Sequence, residues 1–238
     1  MYIDVHAHIL PHVDDGAKNR EESLAMLKML KAQGVMAVAA TPHFYASREK
    51  SFEEYLVRIE SSYNALNAAK TEDLPEVHLG SEVHFFSGIS SFGELAKLCI
   101  GNSKYILIEL PYKKISDKTI NEIVEISLSR GLVPILAHIE RYRRFEGFDK
   151  VKKLIEEGFA IGQVNAYSFL RFKYRKSTLK LLRDGYAKLI AGDCHSPELN
   201  PPKIEKALAL INKKLGQQFL DELHLYNDGI YKEIRGIN

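Results

Sequence analysis

Histidines and carboxylates recur in this chain at places where they could gather metal ions. His6 and His8 stand as His-Ala-His after an Ile-Asp-Val run. In extended chain that spacing turns both imidazoles to one face, so both can reach one ion. Asp14 and Asp15 precede Gly16 in a turn, where the ordinary use of an aspartate is to cap the following helix. His43 comes in Ala-Thr-Pro-His, Glu82 in Gly-Ser-Glu, Glu109 in Leu-Ile-Glu-Leu-Pro, and His138 in Leu-Ala-His. Asp193 and His195, in Gly-Asp-Cys-His, repeat the alternate spacing of His6 and His8. A lone histidine at a strand end is more often a satisfied structural residue, but coincidence at six strand ends is a much poorer explanation. Buried carboxylates without partners are costly, so those at strand ends want cations.

Nitrogen and oxygen donors with no thiolate set suit Mn²⁺, Fe or Zn²⁺, and residue types alone leave that choice open. Ions held some ~3.5 to 4 Å apart lower the pKa of a shared water and neutralise the attacking and leaving oxygens of a phosphoryl ester. No protein nucleophile is then required. A cysteine phosphatase is excluded by spacing, since a Cys-x5-Arg loop needs arginine where Cys99 meets Tyr105 and Cys194 meets Asn200. No Gly-x4-Gly-Lys-Ser/Thr loop occurs either. Phe44, Tyr45 and Arg48 follow His43 in a loop that could stack on an aryl ring, although loop aromatics more often pack locally.

The elements that must position these groups are legible as alternation. Candidate strands run from Tyr2 to His6, Met36 to Ala40, Val77 to Gly80, Tyr105 to Glu109, Val133 to Ala137, Ala160 to Val164 and Ala187 to Ala191. Between and after them the pattern predicts helices over Arg20 to Gln33, Phe52 to Ala69, Lys118 to Arg130, Asp149 to Glu157, Ser177 to Asp184, Pro201 to Leu215 and Gln217 to His224, then a polar tail. Strand and helix in turn mean a parallel sheet with crossover helices, whose barrel form builds its site from the loops after the strands.

No Gly/Ser-rich linker divides the 238 residues, so one domain, 1–238, is expected. Thirty-three basic against thirty-one acidic side chains leave a charge of +2, which gives no bulk attraction for nucleic acid. No apolar run approaches the ~20 residues of a membrane span. Two distant cysteines fit a reducing compartment, and the cytoplasm is the expected location.

Taken in order, His6-Ala-His8, Pro11-His12-Val13-Asp14-Asp15-Gly16, Thr41-Pro42-His43, Gly80-Ser81-Glu82, Ile108-Glu109, Ala137-His138-Ile139-Glu140-Arg141-Tyr142 and Gly192-Asp193-Cys194-His195 resemble the polymerase-and-histidinol-phosphatase (PHP) superfamily. More narrowly, His-x-His-x-Leu-Pro-x-x-Asp-Asp-Gly-Ala followed by Glu-Glu-Ser is similar to the bacterial manganese-dependent protein-tyrosine phosphatases of capsule and exopolysaccharide synthesis. That resemblance implies a distorted seven-stranded (β/α)7 TIM-like barrel and a trinuclear site, commonly manganese. It also implies action on phosphotyrosine of a bacterial tyrosine kinase. His6, His8, Glu82 and Asp193 would hold one ion; Glu82, Glu109 and His138 a second; Asp14, His43 and His195 a third. Arg141 would clamp the phosphoryl oxygens through its planar fork, with a surface cation as its plain alternative. The implied phenolate leaving group, of pKa near ~10, would ask only a weak acid, with a water on the metal, Asp14 and His12 as candidates and none assigned. The chain departs from the subfamily at Ile139, at Cys194, and in the loop Ser196 to Asn200, which lacks the usual arginine before its proline.

Two alternatives of other kinds stand beside this expectation. The same metals could hydrolyse a small ester such as histidinol phosphate, or the chain could be a non-catalytic metal-binding adaptor for a polysaccharide-assembly kinase.

Overall fold

The computed structural model describes residues 2–237. Its strands are β1 (Ile3–Ala7), β2 (Ala37–Ala40), β3 (His43–Phe44), β4 (Glu76–Leu79), β5 (Glu82–His84), β6 (Tyr105–Glu109), β7 (Val133–Leu136), β8 (Ile161–Asn165) and β9 (Leu189–Ala191). Its helices are α1 (Arg20–Ala32), α2 (Phe52–Ala69), α3 (Asp117–Arg130), α4 (Phe148–Glu156), α5 (Ala166–Leu170), α6 (Phe172–Arg183), α7 (Ile204–Leu215) and α8 (Gln217–Arg235). Three helices start where the side chains of Asn19, Ser51 and Ser116 accept a first-turn backbone N–H, a cap that contributes about 1 kcal/mol each.

Every strand pair is parallel, in two sheets of order β1-β2-β4 and β3-β5-β6-β7-β8-β9. All seven expected strand regions are present, shifted by a residue or two at their ends, but two of them are interrupted and resume. After Ala40 the chain passes Thr41 and Pro42 before pairing again as β3, and after Leu79 it passes Gly80 and Ser81 before β5. The interruptions stay hydrogen-bonded: Gly80 N–H donates to Ala40 O and Glu82 N–H to Pro42 O, both at 2.9 Å. Pro42, with no N–H of its own, still serves as acceptor. Beside β1, Ala7 bridges Cys194 in parallel; Asp193 N–H donates to His6 O at 2.8 Å and His8 N–H to Cys194 O at 2.9 Å.

Alternate strand residues feed two apolar clusters. Ile3, Val5, Ala37, Ala39, Leu107, Ile135, Ala137, Leu189 and Ala191 form one, together with Ile230, Tyr231 and Ile234 of α8. The other lies between the strands and the remaining helices and includes Val38, Ile106, Ile108, Leu136 and Val164. Helix α8 overturns the expected polar tail. It runs eleven residues past His224, burying Leu220, Leu223, Asn227, Ile230, Tyr231 and Ile234 at helical spacing. Buried Asn227 accepts from Ile3 N–H at 2.8 Å and donates to Ile3 O at 2.9 Å, so the last helix holds the start of the first strand. Helix α6 begins at Phe172, five residues before the expected Ser177. No helix of the described residues is long and apolar enough to cross a membrane.

Candidate metal centre

The C-terminal ends of the strands converge on Glu82. Its Oε2 lies 2.9 Å from His43 Nδ1, 3.3 Å from His6 Nε2 and 3.4 Å from His8 Nε2, and its Oε1 lies 2.9 Å from His138 Nε2. Asp193 Oδ1 sits 3.4 Å from His6 Nε2 and 3.5 Å from His8 Nε2, and Glu109 Oε1 is 3.5 Å from His138 Nε2. His6, His8, Glu82, Glu109, His138 and Asp193 are buried; His43 and His195 lie half-buried at the mouth.

Each deep imidazole is aimed by its outer nitrogen. His8 Nδ1 meets Asp14 Oδ2 at 2.7 Å, His6 Nδ1 meets Gln163 Oε1 at 3.2 Å, and His138 Nδ1 meets Tyr142 Oη at 3.3 Å. His195 Nδ1 is 3.0 Å from Asp193 O. A hydrogen bond that places the proton on Nδ1 leaves the Nε2 lone pair directed inward, as an outer partner does for a metal-binding histidine. Two features show that the donors suit cations better than one another. His6 Nε2 and His8 Nε2 face each other at 3.1 Å. His43 Nδ1, buried and close to Glu82, makes no aligned hydrogen bond. Three groups of ligand atoms are compact enough to hold an ion: His6, His8 and Asp193; His43, Glu82 and Glu109; and His8, Asp15, His43 and His195. The nitrogen and oxygen donor chemistry fits a transition-metal cluster.

Electrostatics point the same way. Burial opposes charge on Glu82 and Asp193, yet His6 and the neighbouring imidazoles hold both carboxyls well below the usual carboxylate range. Burial likewise opposes protonation of His43, but its contacts with Asp15 and Glu82 push it up to about 9. The carboxylates thus draw positive charge into the centre, as bound ions would supply it. His138 and Asp193 both have left-handed backbones, at φ 35° and 48°. Strain of this kind, roughly 1–3 kcal/mol per residue, concentrates where side chains must be aimed.

Of the nine expected metal-site residues, seven lie in these groups; His138 touches Glu82 and Glu109 outside them, and Asp15, not Asp14, stands with His8, His43 and His195. Asp15 Oδ1 lies 3.4 Å from His43 Nε2 and 3.6 Å from His195 Nε2. Asp14 instead folds back, accepting from His43 N–H at 3.0 Å and Gly16 N–H at 2.9 Å as well as contacting His8. Burial raises its carboxyl, but His8 and these amides outweigh burial and keep it far below the usual range. His12 is exposed, with φ 60°, and stands outside the three groups. Arg141, in a 3-10 turn over Ile139–Arg144, is 42% exposed and spans Asp193 Oδ2 at 2.5 Å and Tyr112 Oη at 3.0 Å. Phe44 is not a substrate-facing ring, since it packs in the core against Phe52, Tyr55 and Phe92. Tyr45 does border the centre, 5.1 Å from the His43 ring, and the Arg48 guanidinium lies 4.1 Å from the Tyr45 ring centre.

Several supporting residues were not expected. Gln163 Oε1 also accepts from His138 N–H, and Gln163 donates to Asn165, which donates to Asp193 Oδ2 at 2.6 Å. Their signal was two amides at alternate positions in an otherwise apolar strand. His84, 2.7 Å from Glu109 Oε2, was signalled by its spacing from Glu82. The division between Asp14 and Asp15 has a direct test. Asp15→Asn is expected to lower bound metal per chain, whereas Asp14→Asn retains the stoichiometry and loses roughly 10–100-fold in turnover or metal affinity. Elemental analysis with kinetics reads both, and the reverse pattern would return Asp14 to the ligand set.

Residues 2–231 match the family model described as capsular polysaccharide synthesis, CpsB/CapC. Among curated relatives, tyrosine-protein phosphatase CpsB of Streptococcus pneumoniae is 30% identical over 237 residues, covering 94% of this chain and 96% of its own. Tyrosine-protein phosphatase YwqE of Bacillus subtilis is 29% identical over 245 residues, covering 97% and 94%. A solved structure, described among crystal structures of YwqE from Bacillus subtilis and CpsB from Streptococcus pneumoniae as unique metal-dependent tyrosine phosphatases, superposes with a TM-score of 0.85. It covers 99% of this chain and 95% of its own at 24% identity, a likeness of fold.

Proposed function

The chain belongs to the CpsB/CapC family of capsular polysaccharide synthesis, and on that premise we propose that it is a metal-dependent protein-tyrosine phosphatase. The observation that carries the reading is the convergence of four imidazoles on Glu82, with Asp193 and Glu109 against the same rings and each deep ring aimed from behind. The three compact groups support three ions per chain, with manganese as the metal and iron or zinc as substitutes. We read β2 with β3, and β4 with β5, as interrupted single strands; joined to β1 beside β9, they make a distorted seven-stranded barrel.

When bound, the ions would supply an activated water and neutralise charge on the phosphoryl group. His6, His8, Glu82 and Asp193 would hold the innermost ion, Glu82, Glu109 and His138 the next, and Asp15, His43 and His195 the outermost. Arg141 would bind the phosphoryl oxygens with the edge of its fork that faces solvent, while Asp193 and Tyr112 fix its plane. The Tyr112 ring, stacked 6.1 Å from His138, would lie beside the substrate aryl group. A bacterial tyrosine kinase in the cytoplasm is the proposed substrate, and the buried free thiols of Cys99 and Cys194 agree with a reducing compartment.

With Mn²⁺, the purified chain should release phosphate from phosphotyrosine peptides. Absence of release across Mn²⁺, Fe²⁺, Co²⁺ and Zn²⁺ would defeat the proposal, and a large kcat/KM advantage for histidinol phosphate would replace the substrate class. Arg141→Lys keeps a charge but loses the fork, and is expected to reduce kcat/KM by roughly 10–100-fold. Unchanged phosphopeptide kinetics in that variant would remove Arg141 from substrate binding.

A further inference from the structure

Beside the metal centre, sharing the Arg141 and Tyr112 wall, lies a cavity of about 520 Å³. Arg143, Arg144 and Lys173 supply its cations, Tyr167 and Tyr174 its rings, and Glu140 part of its lining. Although the chain carries a formal charge of only +2, none of these three cations forms an ion pair among the described residues. Arg144 and Lys173 rest instead over the rings of Phe145 and Tyr174. Two more cations, Arg171 and Lys203, stack on Tyr167 at 4.5 and 4.6 Å and extend the positive surface.

Glu140 adds a separate observation. It is 5% exposed, and its Oε1 accepts from Ser168 Oγ at 2.7 Å and Asn165 N–H at 3.2 Å. Its Oε2 is enclosed and meets no hydrogen-bond partner, so this carboxyl backs the cavity without offering an accessible oxygen to it. Buried acceptors are rarely left so, because an unmade hydrogen bond is costly. Unpaired cations at the rim, interleaved with the rings of Tyr167 and Tyr174, match an acidic peptide segment.

We propose that this cavity seats the acidic flank of the phosphoprotein substrate, with an aspartate or glutamate beside the phosphotyrosine meeting Arg143, Arg144 and Lys173. The inference rests on the tyrosine-phosphatase reading and adds a sequence preference to it. Arg141 joins the two sites, since one guanidinium borders both the cavity and Asp193.

The test compares two phosphotyrosine peptides of equal length, with acidic or neutral flanking residues, on the Mn²⁺-loaded full chain. Wild type should favour the acidic peptide in kcat/KM by about fivefold or more at low salt, and less at high salt. Combined Arg143→Glu, Arg144→Glu and Lys173→Glu should bring the ratio to one or below. Because both rates are measured on the same protein, any general loss from the substitutions cancels. A wild-type ratio near one, or a preference that survives charge reversal, overturns the proposal. Fluorescence anisotropy of the unphosphorylated acidic peptide reads the cavity without catalysis: wild type should bind it and the reversed variant should not. If neither phosphopeptide is hydrolysed, the phosphatase reading fails, and the anisotropy result alone upholds or overturns the acidic-peptide site.

Discussion

Glu82→Gln is expected to lower turnover by roughly a thousandfold and to reduce bound metal at more than one position. Four imidazoles approach this carboxylate, one more than approach Asp193. Glutamine preserves size but removes the charge, and its amide donor competes with a cation for the lone pairs of the ring nitrogens. Metal content per chain, kinetics and circular dichroism on the same preparation separate site loss from misfolding. A folded variant with full turnover and unchanged metal would show that Glu82 is a structural acid, and the proposed bridge would have to be abandoned.

Exhaustive chelation should abolish turnover and also lower the thermal midpoint, and Mn²⁺ should restore both. The second readout is independent of the reaction. Ligands that bind the native state alone stabilise it by linkage, about 2.7 kcal/mol for a site at a hundredfold excess over Kd. Ring nitrogens 3.1 Å apart and a buried nitrogen with no aligned partner are the local conflicts that an ion would relieve. If the midpoint and the rate survive chelation while metal analysis reads zero, the convergence serves packing and not chemistry.

Much of the centre was visible in the sequence because strand ends announce themselves. Apolar runs stop at His6, Glu109 and Ala137, and a residue able to bind metal closes or succeeds each run. The choice between Asp14 and Asp15 was not visible, for both are carboxylates in one turn. Gly16 decides it: a Cβ there would meet His8 O at 2.2 Å, so the loop presses against β1 and Asp14 is folded onto His8. Asp15, 73% exposed, is left facing His43 and His195. The interruptions at Thr41-Pro42 and Gly80-Ser81 were hidden because the chain resumes pairing in short pieces whose period cannot be read. The second half of α8 was hidden because Asn227 and Gly229 break its apolar stripe, although Asn227 is buried for a hydrogen-bonding reason that composition does not carry.

The grip of Asn227 on Ile3 bears on how the molecule is made. His6 and His8 leave the ribosome early, but the base of their strand gains these two backbone bonds only after α8 has been synthesised. Asp193 and His195 also arrive late, and contacts so distant along the chain are slow to form. The growing polypeptide must therefore keep its earliest imidazoles waiting, and ion capture belongs among the last events of maturation.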